Sequence, residues 1–255
     1  MKEMLNRVPE VTIWFWLIKV LSTTVGETAA DFLSITLGLG LTTTSYIMAG
    51  LLIISLFNQF RLKRYVPSSY WTVVVLISIM GTLITDLLVD NYGMSLKFAS
   101  TMFTIALVSI FVIWYAAEKT LSVHTIFTLK REIFYWLAIL FTFSLGTAAG
   151  DLAAESLGLG FFYSLLAFAG LIALIATAYY GLNMNSILAF WLAYILTRPL
   201  GASAGDLLSQ PIADSGLGFG TVDTSAIFLA VIGGLVIYLG FQQKKQLHPV
   251  ESEEQ

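Results

Sequence analysis

The residues of this chain best equipped for chemistry are carboxylates placed where carboxylates are costly. Asp31, Asp86, Asp151 and Asp206 each lie fifteen residues after a tryptophan and five after a glycine. The sets are Trp16/Gly26/Asp31, Trp71/Gly81/Asp86, Trp136/Gly146/Asp151 and Trp191/Gly201/Asp206, all within apolar stretches. A spacing kept in four places marks one structural unit copied four times. An ionisable side chain in such surroundings is a functional candidate by default. Cysteine is absent, and His124 and His248 fall outside the apolar runs, so the interior offers only oxygen ligands. Asp31, Asp86, Asp151, Asp206 and Glu27, with the hydroxyls of Thr23, Ser78, Thr82 and Thr147, suit hard cations such as Mg²⁺, Mn²⁺ or Ca²⁺, or protons. Zinc and copper fit this donor set poorly. Crowded carboxylates repel one another, so a bound cation or shared protons would relieve the site, and proton exchange could drive transport.

The elements that carry these residues follow from composition. With 57% hydrophobic and 11% charged residues and a mean hydropathy of +0.83, the chain reads as an integral membrane protein whose first partner is the lipid bilayer. The net charge of −3 leaves no basic footprint for nucleic acid. A helix needs about 20 residues to span the hydrocarbon layer. Eight segments of that length are predicted, at 11–35, 41–59, 69–91, 97–117, 132–156, 161–181, 185–209 and 223–242. The expected fold is all-α: one membrane domain over 1–255, with repeats at 11–59, 69–117, 132–181 and 185–242 and a disordered tail at 243–255. Arg7, Arg61, Lys63, Arg64, Lys119, Lys130, Arg131, Lys244 and Lys245 fall on one side, which places both termini in the cytoplasm. Each repeat then crosses twice and re-enters from the same side, giving four parallel helix hairpins around an axis normal to the membrane.

At about 100° per residue, positions 7, 11 and 15 after each tryptophan share its face. That stripe reads Trp16, Thr23, Glu27, Asp31; Trp71, Ser78, Thr82, Asp86; Trp136, Phe143, Thr147, Asp151; and Trp191, Arg198, Ala202, Asp206. Lipid cannot face it, so the stripes should meet inside the protein. The aspartates then form either a shared polar site or interhelical glue to neighbouring threonines and serines. The repeat glycines allow close packing, or a helix break that frees carbonyls, the latter best supported where Pro199 precedes Gly201. Trp14, Trp16 and Trp71 suit an interfacial aromatic belt. Alternatively Trp16, Trp71, Trp136 and Trp191 turn inward with the acids and favour organic cations. Lys19 and Arg198 are expected to balance some of the acids, and Arg198 could also serve as a tethered cation that blocks leakage.

The four tryptophan-bearing repeats resemble a family of bacterial integral membrane proteins built from four tandem two-helix repeats of unknown function. The resemblance runs from about Trp16 to Gly240 and implies the architecture and repeat count only. The residues themselves point to a secondary transporter or exporter of a small cation in the bacterial inner membrane. The alternatives are an organic-cation exporter and a non-transporting scaffold or sensor. No nucleophile and base pair, phosphate loop or cofactor motif is visible, so neither an enzyme nor a resident cofactor is expected. The oligomeric state is not legible.

Overall fold

Apolar runs of this length satisfy their backbone in hydrocarbon only as helices, and the computed structural model, which describes residues 6–247, has eight long helices and no strand among those residues. They are α1 (Ile13–Asp31), α2 (Leu41–Arg61), α3 (Pro67–Asp86), α4 (Leu96–Glu118), α5 (Leu129–Asp151), α6 (Gly160–Gly181), α7 (Ser186–Ser209) and α8 (Thr221–Leu247). Seven are long and apolar enough to cross a membrane. The exception, α1, carries Lys19, Glu27 and Asp31. α8 continues five residues beyond the expected end at 242, and 248–255 of the expected tail lie outside the described residues.

Immediately after the aspartate, α1, α3 and α5 each widen into a five-residue π-helical turn, at Phe32–Thr36, Leu87–Asn91 and Leu152–Ser156. Such turns are rare and concentrate at functional sites. α7 has none and remains α-helical through Pro199 and Gly201 to Ser209, so the helix break is not formed.

The odd helices form an inner ring, α1 to α3 to α5 to α7 and back to α1. The even helices stand outside it. In the apolar windows of α3, α5 and α7 at least 50% of the residues are buried, against 22% or less in α2, α4, α6 and α8. Each even helix packs chiefly on the odd helix of the following repeat: α2 on α3, α4 on α5, α6 on α7 and α8 on α1. The two helices of a repeat are therefore joined in sequence but packed across the repeat boundary.

One two-point lock recurs at every junction of the ring. A Cβ added to Gly26, Gly81, Gly146 or Gly201 would come within 3.0 Å of Ser78, Phe143, Arg198 or Thr23 respectively. Each of those partners lies seven residues after the tryptophan of the next repeat. The glycines thus serve close helix approach. Below them, the aromatic residue preceding each signature tryptophan meets the next repeat's tryptophan: Phe15 with Trp71 at 5.7 Å, Tyr70 with Trp136 at 5.3 Å, Tyr135 with Trp191 at 6.3 Å and Phe190 with Trp16 at 5.7 Å between centroids. The same contacts close the ring from α7 to α1, so the four odd helices run parallel and in register.

Candidate cation site

The interior of the ring is built in tiers four residues apart. An i±4 row drifts about 40° per step around a helix. In this ring the i−4 row that faces the axis at the aspartates ends on Phe15, Tyr70, Tyr135 and Phe190, which pack on one another at the other end, and the tryptophan after each is turned to the flank. This corrects the expectation that the tryptophans share the carboxylate face. Trp71, Trp136 and Trp191 are buried between helices, Trp16 is half-buried, and Trp14 is the more exposed. None of the four signature rings lines the cavity of the repeat aspartates. Trp71 donates to the Tyr65 hydroxyl (3.1 Å) and Trp191 to the Leu121 carbonyl (2.9 Å), pinning the loops at that end. Burial pushes the Tyr65 hydroxyl above its ordinary pKa, so it stays a neutral acceptor.

At the other end the four aspartates converge. Asp31, Asp86, Asp151 and Asp206 line one cavity of about 290 Å³ together with Glu27. One carboxylate oxygen each from Glu27, Asp151 and Asp206 lies within 4.8 Å of the other two. Among the described residues the side chains of Asp86, Asp151 and Asp206 accept no hydrogen bond, and Asp31 accepts one, from Gln210 at 3.4 Å. The mouth carries Ile35, Asp90, Glu155 and Gln210, each four residues beyond a repeat aspartate. Sequence reasoning missed this tier, although adding four to each aspartate finds it.

Beneath the aspartates the axis is blocked by one knot. Arg198, fully buried on α7, donates through Nη2 to Glu27 Oε2 on α1 (2.8 Å), to the Thr82 hydroxyl on α3 and to Thr147 Oγ1 on α5 (2.7 Å). Its Nε and Nη1 have no partner among the described residues. Arg198 thus pairs with Glu27 on the adjacent helix α1, as charge balance requires. Among the described residues Lys19 does not pair with an acid, contrary to expectation. Its Nζ donates to Thr197 Oγ1 (3.2 Å) and lies over the rings of Phe143 (4.1 Å) and Tyr194 (4.3 Å), aromatic faces standing where a carboxylate was expected. Thr23 and Ser78, expected on the polar face, instead fill the contacts against Gly201 and Gly26; Thr23 Oγ1 donates to the Val20 and Thr197 carbonyls.

Further along, the axis is filled by Phe15, Tyr70, Tyr135 and Phe190, with the Tyr70 and Tyr135 hydroxyls hydrogen-bonded to each other. Last comes a latch that the sequence did not announce. Glu132 is fully buried and accepts from Arg7 Nη1 (2.5 Å), Gln59 Nε2 (3.0 Å) and Trp136 Nε1 (3.4 Å). The adjoining backbone is stitched by Arg7 to Ile126 (3.1 Å) and Tyr65 to Asn6 (2.8 Å).

The molecule is therefore a helical membrane protein of four internal repeats, with an acidic cavity at one end of its inner ring and an interlocked closure at the other. Family comparison agrees in repeat number. The model described as Repeat of Unknown Function (DUF347) matches at residues 14–65, 69–120, 134–184 and 189–245, and the chain belongs to that family. Compared with curated proteins and with solved structures, the chain finds no match in either.

Proposed function

We propose that this chain is a secondary transporter of a small hard cation, an eight-span carrier of four parallel two-helix repeats in which α1 crosses the membrane like the other seven helices. The observation that carries this reading is the convergence of five carboxylates, one from each of α3, α5 and α7 and two from α1, on a single cavity. The oxygen-only donors fit Mn²⁺, Mg²⁺ or Ca²⁺ as substrate. Glu27, Asp151 and Asp206 would take the ion, with Asp31 and Asp86 completing the bowl. The basic loops favour an inward-facing closed end and an outward-facing cavity, with both termini in the cytoplasm. Glu27 belongs both to this trio and to the pair with Arg198. A cation in the bowl and the Arg198 guanidinium would therefore compete for one carboxylate, linking occupancy to the knot that blocks the axis.

An organic-cation exporter is less well supported, because the tryptophans lie about 22 Å along the helices from the aspartates and the cavity's aromatic lining is Phe161. The scaffold reading needs the aspartates as glue, whereas their side chains bind no neighbouring threonine or serine among the described residues. The test is uptake of Mn²⁺, Mg²⁺ and Ca²⁺ by proteoliposomes. Wild type should show flux of at least one ion, reduced at least about tenfold in Asp151→Asn and Asp206→Asn proteins that remain folded. Folded wild-type protein with no flux of any of the three would return the scaffold reading.

A further inference from the structure

The outer layer has one asymmetry that the inner ring lacks. α8 packs on α1 and also leans on α3, whereas at the equivalent places α2, α4 and α6 stand off α5, α7 and α1, and between α4 and α7 the space is open. The opening is a groove of about 550 Å³, floored by Leu107, Leu145 and Trp191 and walled by Val108, Phe111 and Leu188. It runs along α4 from Thr104 to Lys119, roughly 22 Å at the helical rise, and ends beside Thr120 and Asn185 at the basic-loop end.

We propose that this groove holds an acyl chain of an anionic phospholipid, with the headgroup phosphate at Lys119. The length reaches from the basic-loop surface past the middle of a hydrocarbon layer about 30 Å thick, and the lining up to the mouth is almost wholly apolar. The charge at the mouth selects the headgroup. Lys130 and Arg131 both engage Glu118, at 3.0 and 2.8 Å. Lys119 is exposed, caps α4 in the left-handed region (φ 57°) and has no carboxylate within ion-pair reach among the described residues. Asn185 lines the mouth and is exposed, its side-chain oxygen capping α7 at Ile187 and Leu188 (3.0 and 3.1 Å), which leaves its amide hydrogens as donors for a phosphate or ester oxygen. The lipid would lie directly on Trp191, the ring that locks α5 to α7 and holds the Leu121 loop.

Trp191 is also the reporter. The full chain is reconstituted with phosphatidylglycerol or phosphatidylcholine dibrominated in the acyl chains, and the Trp191 share of fluorescence is obtained by difference from Trp191→Phe. Brominated phosphatidylglycerol should quench that share several-fold more than phosphatidylcholine at equal mole fraction. Leu188→Phe with Val108→Phe, which fills the groove from exposed positions on α7 and α4 and alters no buried contact of the inner ring, should abolish the excess at an unchanged unfolding midpoint. Lys119→Gln should keep the quenching and equalise the two lipids. An unquenched Trp191, equal quenching by both headgroups in wild type, or efficient cross-linking of two copies through Val108→Cys would each overturn the proposal, the last by giving the groove to a second protein copy.

Discussion

Arg198 concentrates the chemistry of the ring in one side chain. Its Nη2 reaches Glu27, Thr82 and Thr147 on three different helices, so a residue of α7 ties all four inner helices at one point. A fully buried guanidinium is tolerable only while a carboxylate meets it, and breaking such a pair from one side costs about 3–5 kcal/mol. Glu27→Gln should therefore lower the unfolding midpoint in detergent, and Glu27→Leu with Arg198→Met should recover most of the loss. An unchanged midpoint for Glu27→Gln would mean that the charge of Arg198 is met elsewhere. The same glutamate makes a second prediction at the cavity. Asp151→Asn and Asp206→Asn remove an oxygen from the closest trio and should weaken Mn²⁺ binding by calorimetry at least tenfold, about 1.4 kcal/mol. Asp90→Asn at the mouth should change it less than about threefold, since the trio is untouched. Equal effects at both levels would place the ion at the rim.

Between helices, the repeat glycines and the +7 residues set how tightly the ring closes. Gly146 receives the stem of Arg198 and Gly26 receives Ser78, both without room for a Cβ, whereas Gly50 and Gly170 on the outer helices have nothing within 4 Å. Gly146→Ala and Gly26→Ala should each destabilise by about 1–3 kcal/mol through overpacking. Gly50→Ala and Gly170→Ala should move the unfolding midpoint little, measured side by side in one detergent. The contrast shows what was legible in the chain. Glu27, Thr82, Thr147 and the aspartates were found because positions 11 and 15 fall one turn apart on one face, which local helix geometry dictates. The phase of the tryptophans was misread because the inward row drifts as it descends, and that drift depends on how the helices cross. The partners of α2, α4, α6 and α8 were not readable, since their apolar residues surround the helix and name no face. Glu132 was passed over because Gln59 and Arg7, which justify its burial, lie 73 and 125 residues away.

Taken whole, the molecule has a cavity at its acidic end and is shut at its basic one, the arrangement that the proposed carrier would have when facing one side. Closure depends on two layers of different strength. The aromatic tier of Phe15, Tyr70, Tyr135 and Phe190 is tied into every junction of the ring and moves only if the repeats rock against one another. The Arg7, Gln59 and Glu132 latch spans only the loop ends and can release without disturbing the glycine contacts. Alternating access in repeat-built carriers proceeds by such rocking about a fixed site, so weakening the latch should expose the axis from the basic end. The chain contains no cysteine, which makes a single introduced one a clean reporter. Glu155→Cys, at the cavity mouth, should react with a membrane-impermeant maleimide from the acidic side in every state. Val74→Cys, fully buried in the tier of Lys19, should resist labelling from either side at rest. Adding Arg7→Ala should render Val74→Cys reactive from the basic side, with Mn²⁺ raising the rate further. If Val74→Cys stays unreactive under every condition while Glu155→Cys labels, the closed end is permanent and the cavity is a binding site without a passage.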